Sequence, residues 1–167
     1  SIGLGYRTPN AIADNAAYLP SNRIYQYYAP LHNATPYYTT LDNAQLAQEH
    51  SMNTGLSTVF YIPIGKRELQ LSGEYYYTKF LNGVIADMDC SVHSITLYNM
   101  HDVADAQYFS HNWQVEANME ILRGWTMTAA FRYTDVKQTS FNTETNEYQL
   151  RDKPLQNKFK GIISTSY

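Results

Sequence analysis

The sequence predicts an all-β chain of antiparallel, up-and-down strands that forms part of a transmembrane β-barrel, about six strands of a larger barrel. Three observations carry this expectation. Apolar side chains recur with a period of two over long stretches, which is the strand period. Several of these stretches reach or exceed the roughly 10 residues that a tilted strand needs to cross a bilayer. Tight turns fall at one end of the strands and long connections at the other, the layout of outer-membrane barrels. Strands of a soluble sandwich are shorter, with a mode of about 5–6 residues.

Residues 1–7 open the chain as a short strand with Ile2, Leu4 and Tyr6 on one side. Residues 8–48 read as one long loop rich in Tyr and Pro, with Pro9, Pro20, Pro30 and Pro36 breaking any regular run. Helical turns are expected within it at 11–17 and 42–48, the second capped by Asp42. A loop of that length in a compact domain is usually functional. Residues 51–62 form the next strand. Met52, Leu56, Phe60 and Ile62 share a face, although Val59 and Tyr61 blur the alternation. A turn follows at 63–66. Leu69, Leu71, Gly73, Tyr75 and Tyr77 then alternate with Glu68, Gln70, Ser72, Glu74, Tyr76 and Thr78.

Residues 81–94 read as a second long connection. The clearest alternation runs through 112–121, with Trp113, Val115, Ala117, Met119 and Ile121 facing one way and Asn112, Gln114, Glu116, Asn118 and Glu120 the other. After a tight turn near Gly124, the apolar face resumes in Trp125, Met127, Ala129, Phe131 and Tyr133. Pairing outward from that turn predicts Met119 beside Met127, Val115 beside Phe131 and Gln114 opposite Arg132. Residues 140–154 read as a third long connection. Residues 158–167 close the chain, with Phe159, Ile163 and Tyr167 opposite Lys158, Lys160, Ser164 and Ser166.

Composition narrows the function classes. Of 167 residues, 44% are hydrophobic and 16% charged, too apolar for a disordered chain. The net charge is −3 and the Lys and Arg residues are scattered, so a nucleic-acid partner is not expected. There are 16 Tyr, a residue that suits strands and boundaries between apolar and wet surroundings. The single Cys90 excludes an internal disulfide and a Cys-based metal cluster. No run of about 18 apolar residues marks a membrane helix, and residues 1–7 lack a signal-peptide pattern. The expectation is a mature protein or an excerpt of a longer one, with a cytoplasmic protein as the other reading.

The residues resemble a known family, the TonB-dependent outer-membrane receptors, in the C-terminal part of the barrel and in the form found in Bacteroidetes. The stretch Gly5-Tyr6-Arg7-Thr8-Pro9-Asn10-Ala11-Ile12-Ala13-Asp14-Asn15 is similar to the segment where a barrel strand leaves the membrane, and Arg23 ends that region as in the family. Gln48-Glu49-His50-Ser51-Met52-Asn53-Thr54-Gly55-Leu56 resembles the start of the next strand. Glu74 to Phe80, Asp87-Met88-Asp89, Leu97-Tyr98-Asn99-Met100, Gln114-Val115-Glu116, Arg132-Tyr133-Thr134-Asp135-Val136-Lys137 and Lys153-Pro154-Leu155 follow in the family's order.

The resemblance implies a plugged barrel of about 22 strands in a Gram-negative outer membrane. Such receptors import siderophore-bound iron, haem, cobalamin or glycans, driven by TonB through an N-terminal part that this sequence does not show. Neither a TonB box nor a plug domain is recognisable here, and the strands are too few to close the barrel. The expected partners are outer-membrane lipid, a small-molecule or glycan ligand and TonB. The chain is not expected to be an enzyme or to hold a resident cofactor or metal. Two rival readings stand beside it: a soluble all-β ligand-binding module and a structural outer-membrane barrel.

Within this reading the loop tyrosines Tyr25, Tyr27, Tyr28, Tyr37 and Tyr38 are the candidate ligand contacts, because Tyr offers area and a hydroxyl at little entropic cost. Packing of loop on loop is the alternative. His32 lies between the Arg7-Thr8-Pro9 and Gln48-Glu49 stretches, an arrangement similar to haem-receptor members in which a loop His contacts the iron. An ordinary exposed loop histidine is the other reading. Asp87 and Asp89 form an Asp-x-Asp pair with the donors for a divalent ion or, more simply, a solvated loop. Glu74, Glu116 and Glu120 are the residue type for acid/base work, but are read as lumen charges paired with Arg132 or Lys160, or solvated there. Cys90 near His93 is a weak signal for nucleophilic chemistry, and Gly3-Leu4-Gly5 lacks the rest of a dinucleotide motif. Tyr75, Tyr76, Tyr77, Trp113, Trp125, Tyr133 and Tyr167 are expected as interface rings near strand ends.

Overall fold

The computed structural model describes residues 1–9, 22–29, 37–39, 46–145 and 147–167, with 29, 37 and 39 described by backbone alone. The chain is all-β. Its strands are β1 (Ile2–Arg7), β2 (Ile24–Ala29), β3 (Tyr37–Thr39), β4 (Glu49–Ile64), β5 (Arg67–Asn82), β6 (Val84–Asp87), β7 (Ser94–Asn99), β8 (Tyr108–Leu122), β9 (Trp125–Asn142), β10 (Glu147–Asp152) and β11 (Phe159–Ser166). The large sheet runs β1-β4-β5-β8-β9-β10, with β11 also on β9. Every pairing in it is antiparallel. Since β10 and β11 cover the distal and proximal halves of β9, they act as one interrupted strand, and the sheet has the six up-and-down lanes that the alternation predicts.

The expected hairpin register forms. Met119 pairs with Met127, Val115 with Phe131 and Gln114 with Arg132. The β4–β5 turn is tighter than the sequence suggests: β4 continues through Pro63 and Ile64, and Gly65 takes φ +65. A first central Gly with positive φ suits a two-residue hairpin turn, whose twist matches that of the strands. At the β8–β9 turn Gly124 has φ +79, and its N–H donates to the Glu120 carboxylate at 2.7 Å.

Directly paired residues share a sheet face, so the register assigns both faces. One face carries Ile2 and Leu4, then Leu56, Phe60, Ile62 and Ile64, Leu69 and Leu71, Val115 and Met119, Met127 and Phe131, and Phe159 and Ile163. The other carries Glu74, Gln114, Glu116, Arg132 and Lys160. It also carries Val59 and Tyr61, opposite Ser72 and Gln70, which accounts for the blurred alternation in β4. On that polar face the Tyr76 ring lies over Gly55, where an added Cβ would stand 2.2 Å from it. The glycine makes room for an aromatic ring at the centre of a strand pair.

The long connections depart from expectation. Residues 81–94 hold β6, which pairs with β7, and residues 8–48 hold β2 and β3. Together they form a second sheet of order β3-β2-β7-β6, whose β2–β7 pair is parallel. Residues 140–154 are not an open loop either. Strand β9 runs to Asn142 and turns directly into β10, with Glu147 opposite Asn142. Side-chain hydrogen bonds brace the hairpin: Asn142 Nδ2 donates to Gln149 across the strands at 3.0 Å, and Gln149 Nε2 donates to Thr145 in the turn at 3.1 Å. The expected helical turns at 11–17 and 42–45 lie outside the described residues, and 46–48 have no regular structure.

The buried core sits in this small sheet. Tyr27, Ala86, Ile95 and Leu97 form one cluster, and Ile85, Tyr98 and Val103 another. Tyr98 is 1% exposed and its hydroxyl donates to the Thr139 carbonyl at 2.6 Å. The Gln138 amide donates to the Ala86 carbonyl at 3.2 Å. The small sheet is thereby fastened to the distal end of β9 as a cap.

Candidate functional site

Three surfaces carry chemistry: the apolar face, the polar face and the cap. On the apolar face Val115 is 49% exposed, Phe131 51% and Ile163 73%. Between the Arg67 end and the Lys79–Asp135 end, no face position described in β4, β5, β8 or β9 carries a charge. An apolar band about 25 Å tall, crossed at about 40°, needs about ten residues per strand, which is the span from Thr54 to Ile64 in β4. At the cap end a row of rings crosses the strands. Tyr75 packs on Trp113 with ring centroids 5.0 Å apart, Trp113 on Tyr133 at 5.5 Å and Tyr133 on Phe159 at 5.0 Å. His111 joins this row, stacked on Trp113 at 5.5 Å and bonded through Nδ1 to the Tyr75 hydroxyl at 2.9 Å. Of the expected interface rings, Tyr76 faces the polar side instead, because it alternates with Tyr75 and Tyr77.

On the polar face, Asn53, Glu74, Tyr76, Thr78, Asn112, Gln114 and Arg132 line a recess of about 320 Å³. Among the described residues Glu74, Glu116, Arg132 and Lys160 make no ion pair. The side chains that do meet are neutral, such as the Thr134 hydroxyl donating to Asn112 at 3.0 Å. The charges therefore spread along the face, as on a surface facing water.

A deeper cavity of about 460 Å³ lies where the same face meets the cap, lined by Gly5, Arg7, Glu49, Phe80, Tyr108 and Lys153 among others. Its residues come from five stretches of the sequence. Arg7 ends β1 and pairs across the strands with Glu49, which begins β4. The Arg7 guanidinium holds Glu49 through Nε at 2.8 Å and also through Nη2. The Val84 N–H reaches the other Glu49 oxygen at 3.3 Å. Glu49 is buried, so these donors replace lost water. Lys153 arrives from the break between β10 and β11. Its N–H bonds the Val136 carbonyl at 2.9 Å, and its ammonium donates to the Tyr108 hydroxyl at 2.9 Å. Phe80 stacks on Tyr108 with centroids 4.1 Å apart. Sequence reasoning singled out the Arg7, Glu49 and Lys153 stretches one at a time and did not join them, since no local pattern links them.

The cap holds the candidate tyrosines. Tyr27 is 4% exposed in a core cluster, and its hydroxyl accepts the Asn99 amide at 2.8 Å. Its described role is packing, so a ligand touching it would first have to open the cap. Tyr25 packs against the same cluster half-buried. Tyr28 and Tyr38 pack together with centroids 5.9 Å apart, and Tyr38, exposed, sits 3.9 Å from the Cys90 sulfur. Partial loss of water around its hydroxyl raises Tyr38 above the usual phenol range, helped by Cys90, and partial burial likewise raises Tyr25. Tyr37 is described by backbone alone and His32 lies outside the described residues. Burial drives Tyr98 and Tyr148 strongly upward too, so both phenols stay neutral, Tyr98 as a hydrogen-bond donor and Tyr148 as a packing ring.

Asp87 and Asp89 do not form a shared ion site. Asp87 is buried and accepts backbone N–H groups of Phe141, Asp89 and Cys90. Asp89 pairs with Arg151 at 2.9 Å. Among the described residues no group of three His, Cys, Asp or Glu is placed to hold a metal.

Burial raises the Asp87 carboxyl above its ordinary value and outweighs the N–H donors that favour its ionised form. The folded state therefore binds a proton more tightly than the unfolded chain. The resulting stability is fully present below the unfolded value near 4 and is lost as pH rises through the raised value. Cap stability, read from amide exchange at Phe141, is expected to fall as pH climbs through that window. The Asp87→Asn variant should flatten the profile; an unchanged profile would remove Asp87 as its source.

The chain matches no protein-family model, no curated protein and no solved structure.

Proposed function

We propose that the chain is a sector of an outer-membrane β-barrel wall, of the kind found in TonB-dependent receptors, with its cap on the extracellular side. The observation that carries this reading is the uncharged, exposed apolar face bounded by a row of aromatic rings. Soluble monomers rarely expose contiguous apolar patches beyond a few hundred Å², whereas barrel strands alternate lipid-facing and lumen-facing residues. The polar face supplies the lumen wall, and β1 and β11 supply edges where neighbouring strands of a larger barrel pair. The receptor assignment rests on the ordered motif series. It is supported by the meeting of four of those stretches in one cavity below the cap. In that role the cap contributes to recognition of a scarce ligand, and TonB drives transport through a part of the receptor beyond these strands.

The test reconstitutes the protein in vesicles whose acyl chains carry bromine at defined depths. Trp113 and Trp125 sit on the apolar face at opposite ends of the band, so both should be quenched most strongly by shallow bromines. A chain that is folded and monomeric in detergent-free buffer, with no quenching by lipid, would sink the membrane reading. The receptor assignment has its own check, a plug domain encoded upstream in the same gene; a full-length gene without one would leave only a structural barrel.

A further inference from the structure

We propose that the cavity between β1, β4, β5, β8 and the β10–β11 break is a binding site for a small molecule bearing a carboxylate or phosphate group. Among the described residues the cavity is lined by two cations, Arg7 and Lys153, and one carboxylate, Glu49. That carboxylate is already engaged by the Arg7 guanidinium and the Val84 N–H. Lys153 is different. It is half-buried, and its hydrogen-bond partner is the neutral Tyr108 hydroxyl. Among the described residues no carboxylate lies within ion-pair distance of it. An ammonium withdrawn from water in this way gains most from an anion arriving in the cavity.

The strand break is what places this lysine. Asp152 pairs with Lys137 and Phe159 with Tyr133, so six residues, 153–158, span only three residues of β9. An insertion of this kind re-aims side chains that a continuous strand would carry elsewhere. The Phe80–Tyr108 stack forms an apolar wall beside the ammonium. A volume of about 460 Å³ falls within the range of small-molecule sites. A few polar groups beside an aromatic wall is the usual make-up of such sites.

The site stands on the described cavity and does not depend on the membrane reading. Binding of inorganic phosphate, of succinate and of uncharged glucose to the full chain is measured by ligand-observed NMR in whichever medium folds it. One anion should bind in preference to glucose, and the phosphate and succinate arms tell which head group is taken. Lys153→Met should weaken binding about tenfold or more. Tyr108→Phe, which releases the ammonium but keeps the wall, should weaken it less, and Lys160→Met on the same sheet face should leave it unchanged. Amide exchange in the cap establishes that each variant is folded. No preference for either anion over glucose, equal binding by folded Lys153→Met, or equal losses at Lys153 and Lys160 would each overturn the proposal.

Discussion

Arginine in place of Val115 is expected to cost the folded chain about 2–4 kcal/mol in lipid vesicles, the penalty for a cation on the lipid face near mid-bilayer. Arginine in place of the adjacent Gln114 should be nearly neutral. The two residues are sequence neighbours on opposite faces. Val115 pairs with Gly73 and Phe131, and Gln114 with Glu74 and Arg132. Membrane solvation adds a dependence on depth that a packed protein core lacks. The same substitution at Phe159, in the aromatic row nearer the cap, should cost less, because a long side chain there comes closer to the interface. Unfolding titrations in vesicles read all three. Equal costs at Val115 and Phe159 would argue for a protein layer over this face, and equal costs at Val115 and Gln114 would deny that the sheet is two-faced.

Replacing Tyr98 with Ala is expected to destabilise the cap by about 3–5 kcal/mol, the range for deleting a buried aromatic ring. The ring is almost fully buried beside Ile85 and Val103 and packs edge-on to Tyr148 at 5.7 Å. Its hydroxyl ties β7 to β9 through the Thr139 carbonyl. Tyr98→Phe keeps the packing and loses the hydrogen bond, so about 1 kcal/mol is expected. Hydrogen exchange should show the alanine loss in β6, β7 and the distal part of β9, with β4, β5 and β8 below the aromatic row unchanged. A loss spread evenly over all strands would show that cap and wall unfold as one unit.

The strands were legible where alternation was strict. In β8 and β9 the sequence predicts both faces and the register, because a period of two places every second side chain on one surface and Gly124 sets the turn. Legibility fades in the connections. The strands β2, β6 and β7 are short, and the cap buries both faces of some of them: every residue of β7 is buried, Ser94, Thr96 and Asn99 included. A segment covered on both sides has no polar face to alternate with, so residues 81–94 resemble a loop in sequence. The candidate tyrosines met the same difficulty. Tyr25, Tyr27 and Tyr28 are consecutive or alternate in sequence, yet only the packing makes Tyr27 a core residue and leaves Tyr25 half-buried.

The sequence by itself determined the two-faced sheet, since amphipathic alternation is a local property that each strand carries alone. Tertiary structure decided what sits above it. The parallel β2–β7 pair joins two separate connections, and the cavity of Arg7, Glu49 and Lys153 joins five stretches of the chain. Such meetings depend on backbone register and on a strand break whose effect appears only when β10 and β11 lie against β9, so no periodicity in the chain announces them.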